Sequence, residues 1–138
     1  MLLSLTEPQE DFVFSEAKYP AMIGGLGSGK TKAGTARLVL LMVQDRGTNA
    51  AYYMPTYDLL KLRAITGLEE ELENLGLPYL TNRSDYTIKV ANYGTIILRS
   101  YDNPQRIVAY EVAHSIVDEL DTLPKDKAAL VWRKITER

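Results

Sequence analysis

"AMIGGLGSGKTKAG", Ala21 to Gly34, sets an apolar run directly against a cluster of glycines that ends in a lysine and a threonine. From Gly24 to Thr31 it reads G-G-L-G-S-G-K-T, which meets G-x-x-x-x-G-K-[ST] at every fixed position. The residue types have a physical reason. Glycines let the backbone turn tightly and aim successive N–H groups inward as an anion nest. The run before the loop, ending at Ile23, reads as a buried strand over about 19–23. The segment after it, 29–47, reads as a helix, with Ala33, Ala36, Leu40 and Val43 at helical spacing and Gly47 as a stop. That helix would point its positive end at the same anion. Strand, glycine loop and helix in this order are the context in which the motif holds phosphates rather than merely turning the chain.

The expected ligand is ATP with Mg²⁺. Gly24, Gly25, Leu26, Gly27, Ser28 and Gly29 would form the cradle. Lys30 would reach the β- and γ-phosphates, and the Thr31 hydroxyl would ligate the cation. Hydrolysis needs a second, acidic site at the tip of a neighbouring strand. "HSIVDELD", 114–121, has that form: Ile116 and Val117 bury a strand, and Asp118 and Glu119 follow at its carboxyl end. Asp118 is the candidate Mg²⁺ ligand and Glu119 the candidate base for the attacking water. Taken alone, an acidic pair after an apolar run is a common way to close a strand. The glycine loop upstream is what gives it meaning.

The remaining elements fit an α/β layer fold of parallel strands and crossover helices. "NAAYYM", 49–54, reads as a second strand, stopped by Pro55. Thr56 can cap a helix over 57–76, interrupted at Gly67 and closed by Gly76. The stretch 84–100 shows two alternating runs around "ANYG", the pattern of a β-hairpin. The last segment, 124–138, reads as a helix with Val131 and Trp132 on its apolar stripe. Tyr52, Tyr53 and Tyr57 read as packing, "LEEELE" (68–73) as a solvated helix face, and Arg99 as a solvated hairpin residue.

Composition narrows the alternatives. The chain has 138 residues, no cysteine and one histidine, His114, so disulfide scaffolds and Cys-based zinc sites are excluded and a histidine-rich metal site is not expected. Its formal charge of −2 leaves no global basic signature, so any DNA contact must be local. The apolar run "LVLLMV" at 38–43 is far too short to span a membrane, and the N-terminus lacks a basic leader. A single soluble, intracellular domain is expected.

With these motifs in hand, the sequence resembles the ATPase domain of the large terminase subunit of tailed bacteriophages. The resemblance runs from about Thr6 to Arg138 and rests on "LTEPQEDFVFSE", "GGLGSGKT", "YYMPTYDLL" and "NYGTIILRSYDNPQRIVAYEVAHSIVDELDTL". It implies a P-loop NTPase fold with flanking helices and an inserted β-hairpin. It implies ATP hydrolysis that drives double-stranded DNA into a capsid, with a portal protein, a small terminase subunit and a homo-oligomeric ring as partners, in the cytoplasm of a bacterial host. By the same resemblance Gln9 would contact adenine, and Arg106 would act as an arginine finger on a neighbouring subunit's nucleotide. Ala109 departs from the family, which has glycine at that place.

Two other readings fit the motifs. "MPTYDLL" and "DELD" also match the first motor domain of a superfamily-two helicase, and a nucleotide-binding remnant without turnover would keep the same loop. Because the chain ends one helix after the acidic strand, the sequence leads us to expect a domain incomplete at its C-terminus, with one sheet edge open. No coupling strand and no nuclease region are expected either. The acidic strand is expected beside the strand ending at Ile23, or across the same sheet from it.

Overall fold

The structure is a computed structural model in which residues 5–23, 29–101 and 112–136 are described. The loop Gly24–Ser28 and the segment that carries Arg106 and Ala109 lie outside the described residues.

Strand β1, Ala50–Met54, organises the fold. All five of its residues are buried, as expected of a strand covered on both faces. It pairs in parallel with β4 (Gly94–Ser100) on one side and with β5 (His114–Val117) on the other. Beyond β4 the sheet turns antiparallel through β3 (Thr87–Val90) and β2 (Tyr79–Asn82), giving the order β2-β3-β4-β1-β5. The sheet is therefore mixed rather than parallel throughout. The expected hairpin is β3 and β4, joined at Ala91–Tyr93, and it extends the main sheet instead of standing apart from it. Strand β2 was not legible in the sequence. It is a four-residue edge strand whose Leu80 is exposed, so its alternation carries little signal.

Alternation along β1 divides the core. Ala50, Tyr52 and Met54 face a large cluster with Leu38 and Met42 of helix α2 (Lys30–Gln44). The same cluster takes in Leu60, Ala64, Ile65, Leu68 and Leu72. Ala51 and Tyr53 face the other way, onto Val131 and Ile135 of helix α5 (Lys125–Thr136). These two are four residues apart and share a helix face. Trp132 lies off that face, 40% exposed and edge-on to Tyr19, so the expected apolar stripe is Val131 and Ile135 rather than Val131 and Trp132.

The helix expected over 57–76 is one continuous rod: α3 (Tyr57–Leu59), a π-helical turn at Leu60–Ala64, and α4 (Ile65–Asn74). Thr56 caps it, its Oγ1 accepting from the Leu59 N–H at 3.1 Å. Gly67 does not interrupt it. A Cβ there would stand 3.1 Å from Thr35 of α2, so the glycine is a close approach between helices. Nor is 68–73 a solvated face, since Leu68, Glu71 and Leu72 are buried. Burial raises the Glu71 carboxyl above its usual value, more than nearby Lys32 lowers it, and Glu71 Oε2 has no hydrogen-bond partner among the described residues. A carboxyl raised in the folded state stabilises below its unfolded pKa, and that contribution is lost as pH rises through the folded value. Glu71→Gln is therefore expected to raise the melting temperature at pH 7, and to raise it less at pH 4; thermal melts at both values check this.

The strand expected over 19–23 is not formed. The chain from Pro20 to Ile23 is irregular, and Ile23 is 96% exposed. Strand conformation is held by a ladder of N–H and C=O bonds, and among the described residues this segment has no neighbouring strand to supply one. Pro20 withholds a donor besides. The acidic strand β5 lies next to β1, not next to 19–23. Among the described residues β5 is an edge strand.

Candidate nucleotide site

Helix α2 begins at Lys30, with Gly29 at its N-cap in the left-handed region (φ 79). Thr31 follows in the first turn. Strand β5 ends at Val117 and delivers Asp118 beside it: Thr31 Oγ1 donates to Asp118 Oδ2 at 2.9 Å, across a sequence separation of 87 residues. The two expected motifs thus meet at their chemically relevant atoms. The reason is topological. Helix α2 packs over β1 and β5, so its first turn and the carboxyl end of β5 reach one end of the sheet together.

Asp118 is held at several points. Its N–H donates to the Tyr53 carbonyl at 2.9 Å. Its carbonyl accepts from the Tyr101 hydroxyl at 2.7 Å. Its Oδ2 accepts from the Tyr52 hydroxyl at 2.8 Å. Burial first, then the Asp118 charge, pushes both phenols above their ordinary range, so both stay protonated as donors. Tyr52 and Tyr53 are indeed packed in the core, as the sequence suggests, but the Tyr52 hydroxyl also belongs to the site.

Glu119 adopts φ 56, ψ 34, a left-handed conformation uncommon outside glycine. Its Oε1 lies 4.0 Å from Arg63 Nη1, on the π-helical turn, and its buried Oε2 has no partner among the described residues. With the Arg63 side chain half exposed, this pair contributes little to stability, roughly 0–1 kcal/mol. An unpartnered carboxylate oxygen beside Asp118 suits a group that receives its hydrogen bond from a ligand or water.

Gln9 is held by contacts within the protein. It lies buried in helix α1 (Glu7–Val13), where it closes a capping box with Thr6. Its Oε1 accepts from the Thr6 N–H at 2.8 Å, and its Nε2 donates to the Gly29 carbonyl at 3.0 Å. Arg37 anchors the same helix on α2 by donating to the carbonyls of Phe12, Val13 and Ser15. In this structure Gln9 braces the end of the glycine loop. His114 pairs with Asp45 through Nε2 and Oδ2 at 3.0 Å, away from this site. Arg99 is half-buried rather than solvated, donating to the carbonyls of Asp85 and Tyr86. Sequence reasoning missed three neighbours of the acidic pair: Tyr52, Gly34 and Arg63. The glycine in mid-helix was the available signal, since it is unfavourable there unless something packs close.

The donor set fits a magnesium ion. Thr31 spends its proton on Asp118, which leaves its oxygen lone pairs for a cation, and Asp118 Oδ1 accepts no hydrogen bond among the described residues. Among the described residues no group of three or more His, Asp or Glu side chains could hold a metal alone. One hydroxyl and one carboxylate suit a cation that arrives with phosphate and water ligands of its own.

Comparison with known proteins agrees with this geometry. The chain is similar to the large terminase of a thermophilic bacteriophage, with a TM-score of 0.72 at 16% identity, over 94% of this chain and 36% of that one. A second structure of that terminase, in complex with ATP-gamma-S, matches with a TM-score of 0.71 at 17% identity, over 94% of this chain and 34% of that one. The large terminase ATPase domain of Thermus phage P74-26 matches with a TM-score of 0.58 at 18% identity, over 83% of this chain and 53% of that one. The chain thus spans about a third to a half of these structures and shares their P-loop NTPase fold. Neither the helicase reading nor the remnant reading is favoured by these matches. No curated protein sequence matches the chain. A family profile described as "Terminase large subunit, T4likevirus-type, N-terminal" matches residues 21–136, nearly all of it, and the chain belongs to that family.

Proposed function

We propose that this chain is an ATP-hydrolysing motor domain, working with ATP and Mg²⁺ to drive double-stranded DNA into a viral capsid. The observation that carries the reading is the Thr31–Asp118 hydrogen bond, which joins the phosphate motif to the acidic motif. Lys30 binds the β- and γ-phosphates, and residues 24–29 cradle them through backbone N–H groups. Thr31 and Asp118 hold the cation, which when bound neutralises charge on the phosphates. Glu119 takes the proton of the attacking water. Arg106 serves a neighbouring subunit's γ-phosphate, in a ring that works with a portal protein and a small terminase subunit in the host cytoplasm. Gln9 lines the adenine end. ATP-gamma-S and ADP complexes of a similar terminase support nucleotide as the ligand.

Lys30→Ala tests the reading. It removes the cation assigned to the phosphates, so ATP affinity is expected to fall at least about tenfold, or 1.4 kcal/mol. Titration calorimetry on the purified chain reads this directly. Equal affinity of Lys30→Ala and wild type would reject a phosphate site. Nucleotide binding without phosphate release, in an assembled ring, would leave a binding module in place of a motor.

A further inference from the structure

We propose that Tyr52 is a positioning residue for the cation-bearing carboxylate of Asp118, and that Gly34 exists in helix α2 to make room for it. The proposal rests on the assignment of Asp118 given above and deepens it.

Tyr52 sits in the middle of β1, fully buried, where phenylalanine would pack as well. Its hydroxyl is not idle. It donates to Asp118 Oδ2 at 2.8 Å, the same oxygen that accepts from Thr31 at 2.9 Å. A carboxylate with one oxygen that accepts two hydrogen bonds cannot rotate about its Cβ–Cγ bond without breaking both. The Tyr101 hydroxyl and the Tyr53 carbonyl fix the Asp118 backbone, but neither touches its carboxylate. Among the described residues, orientation of the side chain is left to Tyr52 and Thr31. Thr31 is shared with the cation, whereas the Tyr52 hydroxyl serves Asp118 from within the protein core.

Gly34 supplies the second observation. It lies three residues after Thr31, on the same side of α2. A Cβ at Gly34 would stand 2.7 Å from the Tyr52 hydroxyl and 3.2 Å from Ile116 Cγ2. The phenol is rigid and enclosed, so it could not swing aside without leaving Asp118. A glycine in a helix interior is unfavourable on propensity alone. Here it is what lets the phenol reach between α2 and β5.

The test uses the 138-residue chain and reads nucleotide binding, not turnover. Tyr52→Phe keeps the ring and deletes the donor. With ADP as the probe, affinity in EDTA should match wild type. The Mg²⁺ concentration that gives half of the metal-dependent gain should rise about 10-fold or more, the change that losing one hydrogen bond to a charged acceptor represents. In an Asp118→Asn background the same substitution should add no further shift. Gly34→Ala reads the same contact independently. It should produce the same shift in Mg²⁺ dependence together with a lower melting temperature, and Tyr52→Phe should restore much of that melting temperature by removing the clashing oxygen. An unchanged Mg²⁺ midpoint in folded Tyr52→Phe, beside a wild type that shows Mg²⁺ dependence, would overturn the role of Tyr52 alone. A wild type with no Mg²⁺ dependence would overturn the assignment of Asp118 and this inference with it. No rescue of Gly34→Ala by Tyr52→Phe would overturn the role of Gly34.

Discussion

Glu119→Gln is expected to lower ATP turnover by about 10²- to 10⁴-fold while leaving nucleotide affinity essentially unchanged. The amide keeps the size and shape of the carboxylate but cannot take a proton from water. The affinity should hold because, among the described residues, the Glu119 side chain makes no hydrogen bond to Thr31 or to the Asp118 carboxylate, the groups assigned to the cation. Folding should hold as well. The ion pair lost with Arg63 spans 4.0 Å between partly exposed side chains, and such pairs contribute roughly 0–1 kcal/mol. Removing the charge also relieves a buried oxygen that lacks a partner. Phosphate release, measured in an assembly that turns ATP over, reads the first effect, and calorimetry reads the second. Full turnover in Glu119→Gln would show that another group activates the water. A parallel loss of binding would make Glu119 part of the nucleotide cradle instead.

Gly94→Ala is expected to be the most damaging single methyl in the sheet, lowering stability by roughly 3 kcal/mol, the upper end of what overpacking costs. Gly94 opens β4, and a Cβ there would stand 2.0 Å from the Thr48 carbonyl oxygen. That atom is backbone and cannot rotate away. The loop that carries it is clamped to the hairpin on both sides of Gly94. The Gly47 N–H donates to the Tyr93 carbonyl at 2.8 Å, and the Thr95 N–H donates to Asn49 Oδ1 at 3.1 Å. Arg46 adds a bond to the Asn92 carbonyl at 2.7 Å and covers the Tyr93 ring. Relieving the clash means moving this clamp and, with it, the start of β1. A fall in melting temperature on the order of 10 °C follows. Gly47→Ala is the matched control. Gly47 has φ 90 but nothing within 4 Å of its added Cβ, so it should lose only about 1 kcal/mol, from backbone strain. Thermal melts of the two variants side by side decide the matter; equal losses would mean that contact at Gly94 contributes nothing.

Short-range chemistry was legible in the chain itself. Glycines, lysine and threonine at fixed spacing point to a phosphate loop because neighbouring residues would do the binding together. Helix α2, β1, the Thr56 cap and the acidic end of β5 follow from local periodicity and local hydrogen bonds, which depend on a few adjacent residues. The resemblance carried by several of these motifs points to the family from the sequence alone. What failed were readings that need a partner from elsewhere in the chain. The run 19–23 has the composition of a strand, but a strand exists only with a neighbour to bond. Gly67 looked like a helix breaker because its reason, the approach of Thr35, sits on another helix. Glu71 looked solvated because its burial comes from packing against α2. Tyr52 looked like filler because the atom it serves lies 66 residues away. By itself, then, the sequence singled out the candidate residues for a phosphate and a cation, since that choice depends on side-chain type and near spacing. Only the tertiary structure decided that Thr31, Asp118 and Tyr52 converge on one carboxylate oxygen, because the pairing of β1 with β5 and the packing of α2 over them are long-range contacts.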